Sequence, residues 1–198
     1  MSLFPVFETI AIIDGIPQNL AFHQARMDNT IEKLFQKMSV FNLEEIIQVP
    51  TEYQNGLIKC RIDYNQQDFN IIFSAYQRRE IRNYQCVYLD DLDYTFKYTN
   101  RTIFECIKVT KDEAVIIQDK KVTDCRIGNL IFLKDGIWYG PKNYLLKGTQ
   151  LSRLLSENQV QLKEIYTDEI HQYEKVMMIN AMNPFDESRA ISTQHITL

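Results

Sequence analysis

The chain has 198 residues, enough for one large domain or two small ones sharing a cleft. With 45% hydrophobic and 24% charged residues it has the make-up of a soluble globular protein. A formal net charge of -4 gives no electrostatic ground for nucleic acid or an anionic membrane as partner. No apolar run reaches transmembrane length, and MSLFPVFETI has no basic region ahead of its apolar residues, so no signal peptide is expected. Cys60, Cys86, Cys106 and Cys125 lack CxxC spacing and fit reduced thiols of a cytoplasmic protein. The three histidines, His23, His171 and His195, are scattered, and no metal site is expected.

Residues 7–13 are β-branched and apolar, and Asp14-Gly15 predicts a hairpin turn into a short strand over 16–20. Phe22, Ala25, Ile31, Leu34, Phe35 and Met38 recur at helical spacing, which predicts a helix over 21–38. His23 and Arg26 share a face near its start. By residue type alone, Arg26 reads as a solvated helix arginine and His23 as a hydrogen-bonded structural histidine. A short helix over 43–49 is stopped by Pro50. Strands over 57–64 and 69–76 form a hairpin through 65–68. Arg61 and Arg78 could point into a cleft, but arginines are also common on edge strands. QRREIRN at 77–83 reads as a linker, giving an N-terminal domain over 1–85 and a β-rich C-terminal domain over 86–198 that carries the lysine stretch discussed next.

A strand over 86–89 leads to YTFKYTNR at 94–101. Lys97 lies there among Tyr94, Phe96 and Tyr98. Apolar surroundings penalise an ammonium, lower its pKa and leave a free amine fit for Schiff-base chemistry. The alternative is a half-buried lysine with its stem packed and its head in water. A helix starting near Asn100 is expected to carry Ile103, Cys106 and Ile107. Strands are expected at 113–118, from 122, at 128–133 and, after Asp135-Gly136, at 137–139. Gly148 precedes a helix, 160–165 is a strand, Thr167-Asp168-Glu169 caps a short helix, and 175–180 is the last strand before a polar tail. Strands outnumber helices and hairpin turns imply much antiparallel pairing, so the class is α+β.

These segments, in this order, resemble the class IV aminotransferases, the fold-type-IV enzymes of pyridoxal 5'-phosphate. Phe7-Glu8-Thr9 and Asp14-Gly15 match the family's FET element and turn. His23 and Arg26 match its HxxR helix, with Met27 where Leu is usual. Lys97, Asn100 and Arg101 match the Lys-x-x-Asn-Arg of its lyase branch. Asp124 resembles the acidic residue, usually Glu, five positions before an Asn, here Asn129. Lys147-Gly148-Thr149-Gln150 resembles the Pro-Gly-Ile-Thr helix start, and Ile179-Asn180-Ala181 the late Thr-Asn-Ser/Ala segment. The family's segment before the FET element is largely absent, so the resemblance implies a compact version of the two-domain, D-amino acid aminotransferase-like fold.

The resemblance also implies roles. Lys97 would hold the cofactor as a Schiff base and then carry protons. Arg26, with main chain at Thr149, Gln150, Asn180 and Ala181, would bind the cofactor phosphate. Asp124 would face the pyridine nitrogen. Without the family pattern, Asp124 reads as a turn residue and Gly148 as a loop glycine. The implied activity is that of 4-amino-4-deoxychorismate lyase, releasing 4-aminobenzoate and pyruvate in folate biosynthesis. The alternatives are an amino acid aminotransferase of branched-chain or D-amino acid type, and a non-catalytic member that kept the fold. Arg101 is the first candidate for the substrate carboxylate, beside Arg61 and Arg78. A homodimer is expected from the family.

Overall fold

The computed structural model describes residues 3–90 and 92–198. The chain divides into two compact units: residues 1–78 with 96–101, and residues 79–95 with 102–198.

The first unit is one sheet covered by a helix. β1 (Val6–Ile13) pairs antiparallel with β2 (Ile16–Pro17) and with β3 (Leu57–Tyr64), and β3 pairs with β4 (Phe69–Ala75), giving the order β2-β1-β3-β4. Alternate residues of these strands face the helix α1 (Leu20–Phe35). Val6, Ile10 and Ile12 of β1 and Ile58, Cys60, Ile62 and Tyr64 of β3 pack with Met27 and Ile31 of α1, and with Leu43 of the short helix α2 (Leu43–Ile46). Each such side chain contributes about 1.5–3 kcal/mol by leaving water. The expected strand over 16–20 stops at Pro17, because the chain turns at Asn19 (φ 54°) into α1. The helix ends at Phe35 rather than at 38: Gln36 takes a left-handed conformation (φ 55°) and its N–H bonds Glu32 O.

The second unit stacks two sheets. β5 (Tyr84–Tyr88) lies between the terminal strand β13 (Ile196–Thr197) and β6 (Glu113–Gln118), parallel to both, and β6 turns back into β7 (Lys121–Val122). The other sheet runs β10-β9-β8-β11-β12, with β8 (Asn129–Lys134), β9 (Ile137–Pro141), β10 (Gln161–Lys163), β11 (Lys175–Ile179) and β12 (Ile191–Ser192). Leu130 and Phe132 of β8 and Val176 and Met178 of β11 face Val115, Ile117 and Cys86 of the first sheet. Ile131, Met177 and Ile179 point the other way, onto Leu151 and Leu154 of α4 (Thr149–Ser156). Burial on both faces explains why LIFL and VMMI are unbroken apolar runs rather than alternating ones. The expected helix at 100 is only the four residues of α3 (Thr102–Glu105), and the polar tail supplies β12 and β13 by pairing with distant strands.

The division differs from an N-terminal domain over 1–85 and a lysine carried by the C-terminal domain. The expected linker is held down: Asp112 Oδ2 accepts from Arg82 N (2.8 Å) and Asn83 N (3.0 Å), and Arg79 pairs with the buried Glu113 at 3.5 Å. The lysine stretch belongs to the first unit because it lies along β1. Phe7 N donates to Lys97 O (3.0 Å), Thr99 N donates to Pro5 O (2.8 Å), and Tyr98 bridges Val6. Phe96 and Tyr98 pack on that unit's core, whereas Tyr94 meets Phe104 edge to face in the second unit.

Candidate active site

In the first unit the site residues gather on β1, α1 and 96–101. Glu8 points to the helix side of the sheet and is fully buried. A carboxylate there needs partners, and one turn of α1 provides them. Arg26 donates Nε to Oε1 (2.8 Å) and Nη2 to Oε2 (2.6 Å), and His23 Nδ1 lies 2.7 Å from Oε2. Burial pushes the Glu8 pKa up, but Arg26 and His23 outweigh it and hold the carboxyl down to about 2. Burial lowers the His23 pKa against the pull of Glu8, so the ring is neutral with Nδ1 donating. Glu8 thus fixes the plane of Arg26, whose side chain is 13% exposed. The sequence held a signal for this: an acid at a core-facing position of an apolar strand, and a histidine and an arginine on one helix face.

Lys97 is half-buried by surface, with its Nζ 4.8 Å from the centroid of the Phe7 ring. Desolvation first, then the charge of Arg26, bring its pKa down to about 7; Glu8 opposes this, and Arg101 and Arg61 add to it. Close to half of such amines are neutral at pH 7, which is the state a nucleophilic amine needs. The buried Thr99 Oγ1, two residues on, has no hydrogen-bond partner among the described residues. Arg101 is near enough to act on the charge of Lys97. Arg78 is exposed, at the end of the first segment of this unit.

In the second unit Asp124, Asn129, the start of α4 and the turn after β11 come together. Asp124 Oδ2 accepts from Leu145 N (2.9 Å) and Leu146 N (3.0 Å), and Oδ1 accepts from Asn129 Nδ2 (2.7 Å). Burial pushes its pKa up to about 7 against the pull of these donors. Oδ2 therefore holds the loop that leads into α4, while Oδ1 holds Asn129. Asn129 continues the tie: its Nδ2 also donates to Leu146 O (2.8 Å), and its Oδ1 accepts from Gly148 N (3.0 Å). A Cβ at Gly148 would meet that Oδ1 at 2.3 Å, so a side chain here would displace the Asn129 amide from its bonds. No side chain caps α4, and its first residues, Thr149 and Gln150, are buried. Asn180 Oδ1 accepts from Met182 N (3.0 Å) and Asn183 N (2.9 Å), making a tight turn with Ala181 at its corner, and its Nδ2 donates to Ile127 O (2.9 Å). In the sequence Asn129 is only a spacing marker; its bridging role depends on β8 and the 145–148 loop meeting in space.

In the first unit an activatable amine and an arginine aimed by a buried carboxylate suit an aldehyde cofactor that carries a phosphate; the second unit has, by itself, a helix start without a capping side chain. Residues 5–185 match the amino-transferase class IV family, and the chain belongs to that family. The family is pyridoxal phosphate-dependent, and its α+β architecture is the one described above. An uncharacterized protein of Haemophilus influenzae is 41% identical over 186 residues, spanning 91% of this chain and 99% of that protein. A crystal structure from Haemophilus somnus, of a protein proposed to be a 4-amino-4-deoxychorismate lyase, is 39% identical with a TM-score of 0.87, covering 93% of this chain and all of that one. The 4-amino-4-deoxychorismate lyase of Pseudomonas aeruginosa shares the fold at 17% identity, with a TM-score of 0.64 over 90% of this chain and 80% of that one. No helix among the described residues is long and apolar enough to cross a membrane.

Proposed function

We propose that the chain is a pyridoxal 5'-phosphate-dependent lyase that converts 4-amino-4-deoxychorismate to 4-aminobenzoate and pyruvate. The observation that carries this reading is Lys97: an amine whose pKa is brought down to about 7 by burial and by the charge of Arg26, beside the Phe7 ring, in the sequence Lys-Tyr-Thr-Asn-Arg. Its relationship at 39% identity to a protein proposed to be such a lyase supports the substrate.

The donor set fits the cofactor. Lys97 would hold it through Nζ. Arg26, kept in one orientation by Glu8, would bind the phosphate by a charge-assisted pair. In the second unit the N–H groups at the start of α4 would be the family's matching phosphate contact, since a helix N-terminus favours an anion. Asn180 and Ala181 would add main-chain contacts. When bound, the cofactor supplies an electron sink that acidifies the substrate C–H bond. Lys97 would also be the residue that takes up a substrate proton and returns one at Nζ, and an amine with a pKa near 7 suits both directions. Asp124 acts in this structure on the loop before α4, so it would govern phosphate binding through Asn129 and Gly148 and also serve the ring nitrogen.

The test is an absorption spectrum of the protein with added pyridoxal 5'-phosphate, before and after borohydride, beside Lys97→Ala, followed by pyruvate release from 4-amino-4-deoxychorismate. A visible band fixed covalently at Lys97, with pyruvate formed, is expected. Conversion of the cofactor to its pyridoxamine form by amino acids, without pyruvate release from that substrate, would move the reading to an aminotransferase. A wild type that gains no band would end both.

A further inference from the structure

The face of the first sheet turned away from α1 carries an arrangement that the reading above does not use. Phe7 and Asp63 are cross-strand partners on β1 and β3, and Arg61 lies two residues before Asp63 on the same face. The Arg61 guanidinium lies over the Phe7 ring, with Cζ 3.9 Å from its centroid. Asp63 holds it there: Nε donates to Oδ2 (2.9 Å) and Nη2 to Oδ1 (2.6 Å). Lys97 Nζ approaches the same ring at 4.8 Å. One aromatic ring therefore carries both cations, and they lie no further apart than the sum of those two distances.

An arginine stacked on a ring and gripped along one edge has lost its freedom but not all its donors. A guanidinium has five N–H groups. Asp63 takes Nε and one hydrogen of Nη2, and the donors of Nη1 make no hydrogen bond among the described residues. The Arg61 side chain is 30% exposed and Asp63 12%, so the held edge is the dry one and a ligand can reach the rest. A purely structural cover for Phe7 would not need an edge kept open beside the reactive amine.

We propose that Arg61 is the residue that receives a carboxylate of the amine substrate. Phe7 sets the height of the guanidinium and Asp63 its orientation. Arg61, rather than Arg101, is then the specificity residue. The inference rests on the reading of Lys97 as the amine that substrate displaces.

Two measurements test it. The first needs no cofactor: propionate, which has no aldehyde or ketone to react with Lys97, is titrated into the protein while arginine Nε–H resonances are followed by NMR, with propionamide as the neutral control. The resonance lost in Arg61→Gln should move saturably with propionate alone. No movement, or equal movement with propionamide, overturns the proposal. The second uses the cofactor-loaded protein. Arg61→Gln should raise KM for 4-amino-4-deoxychorismate roughly 10- to 100-fold, the loss expected for a charged hydrogen bond, with the Lys97 absorption band unchanged. Arg61→Lys should recover part of this and guards against misfolding. An unchanged KM at normal loading overturns the proposal. Wild type that loads no cofactor or releases no pyruvate would sink the proposed activity instead, and the propionate titration would still decide the role of Arg61.

Discussion

Replacing Lys97 by Met should stabilise the cofactor-free protein, and should do so only below about pH 10. The Lys97 pKa is about 7 in the folded chain against 10.5 for an unperturbed lysine. The folded form therefore binds fewer protons than the unfolded chain between those two values. Stability climbs with pH across that window and is flat below it. The gap corresponds to an upper bound of about 5 kcal/mol, because solvent still reaches part of this half-buried side chain. Met fills a similar volume and has no charge to desolvate. Urea unfolding of both proteins at about pH 6.5, 8 and 9.5 reads the effect. The advantage of Lys97→Met should be largest at the lowest pH and shrink steadily. Tyrosine and cysteine titrations occur in both proteins and cancel in the difference. Parallel stability profiles would mean that Lys97 keeps an ordinary pKa, and the argument for its activation would collapse.

Glu8→Gln leaves Arg26 buried beside an amide, which should cost about 3–5 kcal/mol as for other broken buried pairs; wild type should also lose about 3 kcal/mol as pH falls from about 4.5 towards 2, where Glu8 protonates, and the variant should not. Acid titrations of stability monitored by circular dichroism separate the two. In Gly148→Ala the new methyl meets Asn129 Oδ1 at 2.3 Å, so either the Asn129 amide or the start of α4 must shift. A loss of about 1–3 kcal/mol and a raised Kd for pyridoxal 5'-phosphate are expected, the latter read by titrating the visible band; unaltered affinity would detach this helix start from phosphate binding.

The parts of the fold that were legible in the sequence are those fixed by local chemistry. Asp14-Gly15 and Asp135-Gly136 announced hairpins because both residues of such a turn need positive φ, and they have it: 46° and 80°, 51° and 76°. The helix α1 followed from apolar spacing. Its end did not, since Gln36 adopts the left-handed cap without being the glycine that marks one. β12 and β13 are two residues each and exist only through partners far away in the chain, which no periodicity can reveal. The site divides in the same way. Lys97, Arg26 and Asp124 stood out by family spacing, whereas Glu8 as the clamp of Arg26, Asp63 as the clamp of Arg61, and Asn129 as the bridge from Asp124 to Gly148 needed the strand registers.

The six residues from Phe96 to Arg101 return to a unit that the chain had left at Arg78, and then leave it again. No single cut in the backbone can therefore release an intact first unit. A break after Arg78 puts Glu8, Arg26 and Arg61 on one piece and Lys97 on the other, and each piece alone would be chemically mute. Mixed together, the two pieces could regain the amine's neighbours only by rebuilding the short ladder of Phe7 and Val6 with Lys97 and Tyr98. During synthesis the same connectivity imposes an order: β1 waits unpaired along that edge until some ninety more residues have been made, a non-local closure of the kind that slows folding.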